Sequence, residues 1–142
     1  MQCCFGQNII DYGPYPYTAN IAWEAWQNQN FRTTLWTGSH LQLTLMNIVP
    51  YGEIGMERHE GTDQYVRIEY GQAIIMMGTK EGVLDTQYYL GPGDVVLIPA
   101  GTWHNIVNGG MDMLKLSSIY APPEHAPGTV HTTKEEAERA EY

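Results

Sequence analysis

Positive charge is what this sequence has least of: 7 Lys plus Arg stand against 16 Asp plus Glu, a formal net charge of -9. So few cations cannot neutralise a run of phosphates, which excludes nucleic acids and anionic membrane surfaces as partners. The acidic excess itself reads as solubility. Cysteine is scarce too, with 2 in the chain, the neighbours Cys3 and Cys4. Adjacent cysteines rarely reach the geometry of a mutual disulfide, so a disulfide-built scaffold is excluded. Long apolar runs are missing: no stretch approaches the ~18 residues of a membrane-spanning helix. Met1 to Asp11 lacks the basic start, apolar run and small-residue cleavage site of a secretory leader. The cytoplasm is the expected location.

What is present points to one domain, since 142 residues with 43% hydrophobic and 16% charged composition support one core. From Asp11 to Tyr17 the run DYGPYPY contains Pro14 and Pro16, each fixing a backbone angle and removing a donor, which predicts an extended arm. An aromatic arm of that kind can cover the edge strand of a second copy, and a homodimer is expected. Ile21 to Asn30 fits either a short helix or an irregular segment anchored by Trp23 and Trp26.

Beyond it the chain alternates like a sheet. Leu41, Leu43 and Leu45 share one face with Gln42 and Thr44 on the other, and Val66, Ile68 and Tyr70 oppose Arg67 and Glu69, the pattern of half-buried strands. Turn signals recur at short intervals around Pro50–Gly52, Gly78, Gly82, Gly91–Gly93 and Gly109–Gly110. Many short strands so punctuated predict a sandwich or barrel. After Pro122, Pro123 and Pro127, Thr133 stands three residues before Glu136, a capping-box spacing that predicts a helix over roughly 134–141. The expected division is an arm over 1–30, a barrel over 31–121 and a Pro-rich tail with a short helix over 122–142, with no internal repeat.

The strongest local signal is GDVVLIPAGTWHNIVN, from Gly93 to Asn108. A glycine turn feeds a strand buried on both faces, and Pro99 and Gly101 shape a second turn that delivers His104 into the next strand. Upstream, GEIGMERHEGTDQYVRIEYG from Gly52 to Gly71 holds Glu57 and His59 two apart, hence on one side of an extended chain, and Gln64 on the face of Val66 and Ile68. Polar groups on an inward face need a common partner.

These segments resemble the cupin family. Its second motif, G-x5-P-x-G-x2-H-x3-N, is matched at every fixed position by Gly93, Pro99, Gly101, His104 and Asn108. Its first motif, G-x5-H-x-H-x3 or x4-E-x6-G, is matched in spacing by Glu57, His59, Gln64 and Gly71, with Glu57 in place of the first histidine, Gln64 in place of the glutamate, and Gly52 one residue off the opening glycine. The resemblance implies an all-β double-stranded β-helix, a jelly-roll barrel holding one divalent metal ion on Glu57, His59, Gln64 and His104. Asp63, which the family spacing also allows, is the rival to Gln64. Such a nitrogen and oxygen set suits Zn, Mn, Fe, Ni or Co without choosing among them. The competing structural reading pairs Glu57 with Arg58 or Arg67 and leaves His59 and His104 hydrogen-bonded inside a metal-free barrel.

His40, His125 and His131 match no metal spacing and are read as surface or packing residues. Trp36, Trp103, Tyr65, Tyr88, Tyr89 and Tyr120 are candidates to line a pocket or to serve as core. Trp103, next to His104, is expected to point away from the metal, and Lys115 to sit at an exposed strand end. The resemblance runs to compact cupins described as mannose-6-phosphate isomerase-like. Type I phosphomannose isomerases, also cupins, bind zinc with one Gln, two His and one Glu. It therefore implies a metalloenzyme acting on a sugar, sugar phosphate or similar small oxygenated molecule, with Glu57 as the candidate base. A cupin dioxygenase and a non-catalytic ligand- or metal-binding barrel are the alternatives.

Overall fold

Glycine and proline turns divide the chain into short antiparallel strands, and a computed structural model describes them over residues 11–140. A helix, α1 (Ile21–Gln27), precedes β1 (Arg32–Thr37), β2 (Gln42–Ile48), β3 (Asp63–Tyr70), β4 (Ala73–Gly78), β5 (Thr86–Leu90), β6 (Val95–Ile98), β7 (Trp103–Asn108) and β8 (Leu114–Ala121). A two-residue β9 (Val130–His131) and α2 (Lys134–Ala140) follow. One sheet has the order β6-β3-β8-β2-β1-β9 and the other β5-β4-β7. The two sheets face each other around one core, the jelly-roll arrangement that the motifs implied.

Register sorts the interior into two ends. On the inner face of the larger sheet, Met46 stands opposite Leu116, Ile48 opposite Leu114 and Ile68 opposite Leu116. With Ile75 and Ile106 of the smaller sheet they form the main apolar cluster. Toward the other end the same strands present Thr44 opposite Ser118, and Gln42 and Gln64 opposite Tyr120. One end of the barrel is packed hydrocarbon; the other is polar and buried.

This reverses the expected reading of β2. Gln42 and Thr44, expected on the outer face, are both 0% exposed and point inward. The leucine face is covered from outside by α1, where Ala25, Leu35 and Leu45 pack with Tyr17, Ile21 and Leu43. The open question over residues 21–30 thus resolves as a helix, capped by Asn20, whose side chain accepts from the Trp23 amide at 3.0 Å. Lys115 is likewise not an exposed strand-end residue. It is buried on the outer face of β8, and its Nζ donates to the Asn28 carbonyl at the end of α1, 2.6 Å away. A helix C-terminus offers unpaired carbonyls and partial negative charge, which suits an ammonium group.

The arm and the tail lie on the barrel. Asp11 accepts from the Gly13 amide, Thr37 Oγ1 and the Gly128 amide at 3.0, 2.6 and 2.9 Å, and Trp36 Nε1 donates to the Tyr15 carbonyl at 2.7 Å. The arm is thereby tied to β1 of its own chain, while residues 1–10 of the 1–30 division, Cys3 and Cys4 among them, lie outside the described residues. The tail is no separate appendage: β9 extends the sheet beside β1. Thr133 Oγ1 accepts from the Glu136 amide at 3.1 Å and Glu136 Oε1 from the Thr132 amide at 2.6 Å, a reciprocal cap displaced by one residue. The last expected helical residue, Glu141, lies outside the described residues.

Two motif glycines with the same backbone demand differ in surroundings. Gly71 and Gly93 have φ of 93° and 89°. A Cβ on Gly71 would stand 2.6 Å from the Met113 carbonyl oxygen, whereas one on Gly93 would meet nothing within 4 Å. Gly93→Ala should therefore cost about 1–2 kcal/mol, the strain of a left-handed side chain. Gly71→Ala should cost a further ~1–3 kcal/mol for the overlap. Denaturant midpoints of the two variants check the order.

Candidate metal centre

The centre is assembled by backbone pairing between the two motif segments. Residues 52–57 run beside β7 without forming a regular strand. Ile54 N–H donates to the Ile106 carbonyl and Asn108 N–H to the Gly52 carbonyl, both at 2.9 Å. The Asn105 side chain accepts from Gly55 N–H and donates to Glu53 Oε1, each at 2.8 Å. Glu57 and His104 exchange both backbone hydrogen bonds, at 2.8 and 2.9 Å. Residues opposed in this way in an antiparallel pair send their side chains to the same face. Two residues on, the Gly101 amide donates to the His59 carbonyl at 2.8 Å, which fixes the Pro99–Thr102 turn to the same segment.

The result is a cluster of Glu57, His59 and His104 whose donor atoms all lie within 4.8 Å of one another. Glu57 Oε1 is 3.4 Å from His59 Nε2 and 3.8 Å from His104 Nε2. Each ring is oriented from its far side: His104 Nδ1 is 2.9 Å from the Thr102 carbonyl and His59 Nδ1 is 3.2 Å from Glu124 Oε2. An Nδ1–H given to a carbonyl or carboxylate leaves the Nε2 lone pair free, the usual support of a metal-binding imidazole. Both Nε2 atoms are buried without a hydrogen-bond partner.

Gln64 supplies a third such atom. Its Nε2 donates to Ser118 Oγ at 2.9 Å, which leaves a buried Oε1 with no partner. The residue stands opposite Tyr120, whose ring packs edge-on against His59 with centroids 5.5 Å apart. Asp63 is exposed and accepts from the Ala100 amide at 2.9 Å, serving the turn before β7. The arginines of the metal-free reading are engaged elsewhere: Arg58 Nη1 pairs with Glu60 at 2.9 Å, and Arg67 binds Glu69. Trp103 carries the Arg58 guanidinium on its outer side. Tyr88 and Tyr89 are exposed, and Trp36 is bound by the arm, so of the six aromatic candidates Tyr120 is the one that packs on the cluster.

Sequence reasoning missed the tail's share of this site. Gln42, buried in the barrel, donates through Nε2 to the His125 carbonyl at 2.8 Å, and its Oε1 accepts from the Glu124 and His125 amides at 3.2 and 3.0 Å. This clamp places Glu124 on His59. It also places the His125 ring edge-on to Tyr120 at 5.2 Å, with a buried Nε2 that has no partner. His125 is therefore a packing residue in the site's surroundings, one of the two roles expected for it. His131 is buried and its Nδ1 lies 3.1 Å from Arg32 Nη1, while His40 is exposed. The one available signal was that the face of Gln42 and Thr44 continues into Met46 and Ile48, paired with a proline-rich return from β8.

Electrostatics separate the titrating groups. Burial opposes ionisation of Glu57, yet contact with His59 and the nearby charges of Arg32 and His104 hold its carboxyl below the ordinary 4.5. Burial also opposes a charge on His59, but Glu57 and Glu124 outweigh it and raise that imidazole above 6.5. Burial lowers His104, partly offset by the Thr102 carbonyl. It drives His125 down to about 3, with the charge of Arg32 adding to the effect.

Comparison with known proteins agrees with this geometry. The cupin domain profile matches residues 44–120, which span β2 to β8 and every residue named for the cluster. The chain belongs to the cupin family. This cupin is 49% identical to YrkC of Bacillus subtilis (strain 168) over 133 residues, covering 94% of this chain and 72% of YrkC. It is 41% identical to L612 of Acanthamoeba polyphaga mimivirus over 115 residues, 80% of this chain and 70% of that protein. The crystal structure of BH2720 from Bacillus halodurans superimposes with a TM-score of 0.91 at 47% identity, covering 92% of this cupin and 99% of BH2720. Among the described residues, no helix is long and apolar enough to cross a membrane.

The shifts set the pH response of the chelator-treated protein. His59, raised, adds stability that is complete below 6.5 and is lost as pH rises through its folded value. His104 and His125, lowered, act oppositely and remove stability as pH falls below 6.5. Glu57, lowered, adds stability present above 4.5 that disappears as pH falls through its folded value. Melting temperatures between about pH 4 and 9 should pass through a maximum, and His59→Gln should flatten the alkaline limb and also weaken the acid limb, where His59 holds Glu57 ionised.

Proposed function

We propose that this cupin holds one divalent cation on Glu57, His59, Gln64 and His104 and uses the centre on a sugar, sugar phosphate or similar small oxygenated molecule. The observation that carries the reading is the set of buried acceptors without partners, His59 Nε2, His104 Nε2 and Gln64 Oε1, beside the carboxylate of Glu57. Acceptors stranded in a barrel are costly, and a cation satisfies all of them at once. The donors are imidazole nitrogen and carboxylate or amide oxygen, a set that fits Zn, Mn, Fe, Ni or Co.

A bound divalent ion would supply Lewis acidity, polarising a carbonyl or an adjacent hydroxyl of the substrate. The chain's own part is positional. Thr102 and Glu124 hold the two rings, and Ser118 holds the amide of Gln64. Glu57 also borders a cleft of about 480 Å³ with Arg32, Ile54, Met56 and Lys134, so a small molecule entering there meets its carboxylate. Glu57 is kept ionised and is the candidate base for proton removal next to a carbonyl, as an isomerisation requires.

Protein purified without chelator should carry close to one equivalent of metal by elemental analysis. His104→Ala should remove it and lower the melting temperature, because binding to the folded state adds to its stability. Glu124→Ala should keep the fold while weakening metal binding by about 10–100-fold, the usual effect of losing a carboxylate behind a ligating histidine. A panel of aldose and ketose phosphates with the metal-loaded protein tests the reaction class. Interconversion supports the isomerase reading, whereas oxygen consumption replaces it with a dioxygenase, and binding without turnover replaces it with a ligand-binding barrel.

A homodimer belongs to the same proposal. β6, expected to be buried on both faces, is instead an edge strand of the larger sheet, buried on one face only, and its outward residues Val95 and Leu97 are 42% and 66% exposed beside Tyr65. An apolar open edge favours pairing with a second copy. Light scattering at micromolar concentration should give twice the monomer mass, and Leu97→Glu should halve it.

A further inference from the structure

We propose that Arg32 is the anchor for an oxyanion, a phosphate or carboxylate group carried by the small hydroxylated ligand of this centre. The inference rests on the metal-site reading and its test separates the two.

Arg32 opens β1 on the inner face, opposite Met46 and His131, and is 2% exposed. In a chain with 7 Lys plus Arg, burying one of them needs a reason. A guanidinium is a fork of N–H donors that cannot be neutralised by losing its proton, so burial without an anion is costly. Among the described residues, Arg32 Nη1 meets His131 Nδ1 at 3.1 Å, Nε is buried with no hydrogen-bond partner, and no carboxylate lies within 4.0 Å. The guanidinium carbon sits 5.4 Å from the Phe31 ring, and Phe31, Arg32 and Glu57 all line the same cleft. Lys134, the other cation there, is already shared between Glu53 and Glu138 at 4.0 and 3.8 Å.

Charge balance gives the ligand its sign. A divalent cation is balanced by the carboxylates of Glu57 and of Glu124 behind His59, and Arg32 leaves one positive charge in excess. A neutral sugar leaves this excess uncompensated at a guanidinium that is 2% exposed. A phosphate or carboxylate removes it and matches the planar fork of the guanidinium in two parallel hydrogen bonds. The rival explanation gives Arg32 one task, holding Glu57 ionised.

Calorimetry on the full, metal-loaded chain with glucose 6-phosphate, gluconate and glucose decides between them. At least one anionic probe should bind about tenfold or more tighter than glucose, and Arg32→Met should erase that preference while keeping a full equivalent of metal. Which anion gains identifies the group as phosphate or carboxylate. Equal binding of all three probes by the wild type, or a preference that survives in Arg32→Met, overturns the proposal. Should Arg32→Met fail to fold, Arg32→Lys keeps the charge without the fork and should still lose most of the preference. As a check without metal, millimolar inorganic phosphate should raise the melting temperature of the chelator-treated wild type above chloride of equal ionic strength, and Arg32→Lys should lose that gain. No gain in the wild type counts against the anchor. An Arg32-dependent preference in a protein that takes up no metal retains the anchor and removes the metal reading; a full metal equivalent without anion preference does the reverse.

Discussion

The paired backbone hydrogen bonds between Glu57 and His104 are the constraint from which the rest of the site follows. These residues belong to different motifs, and each motif alone leaves its side chain without a destination. Once both amides and both carbonyls are exchanged, the carboxylate and the imidazole emerge on one face. His59, two residues along, follows them inward through the bond between its carbonyl and the Gly101 amide. The Asn105 and Asn108 side chains extend the same seam, Asn105 to Glu53 and Gly55, and Asn108 to the carbonyls of Ile48, Val49 and Asp112. An irregular segment is thus held as firmly as a strand, because its backbone groups are satisfied by β7 and by asparagine side chains.

The barrel divides its work by depth. Its apolar end, with Met46, Ile48, Ile68, Leu114 and Leu116 almost wholly buried, supplies the burial that stabilises the fold. Its polar end holds Gln42, Gln64, Thr44 and Ser118 in the same strands and out of water. Such a lining is stable where each group has a partner, as Gln42 has in the 124–125 backbone, and it is reactive where partners are lacking. Atoms left over include those on Thr44, His59, Gln64, His104, His125 and Arg32, and Glu57 and Arg32 line one cleft, where the metal and anion readings meet.

Much of this was legible along the chain because it depends on local chemistry. The match at Gly93, Pro99, Gly101, His104 and Asn108 reports turns with positive φ at Gly93 and Gly101 and a strand between them, and the period of two at Val66 and Ile68 reports an inward face. Glu57 and His59 were recoverable from spacing for the same reason, as was the capped start of α2. The readings that failed concerned outer cover. Gln42 and Thr44 alternate with leucines, which by period alone marks them as the wet side, and nothing local says that α1 lies over the leucines.

The sequence by itself determined the strand periods, the turn positions and which residue types stand at the two motifs, since backbone sterics and side-chain alternation act over a few residues. Tertiary structure alone decided that Gln42 faces inward and grips the returning tail. It also decided that Glu124 supports His59 and that His125 packs on Tyr120. The same holds for Arg32, buried and lining one cleft with Glu57. Gln42 and His125 stand 83 positions apart and Arg32 and His131 99 positions apart, and such partners are chosen by which strands become neighbours when the sheet closes. Closure is a property of the whole chain's burial, so no local pattern carries it.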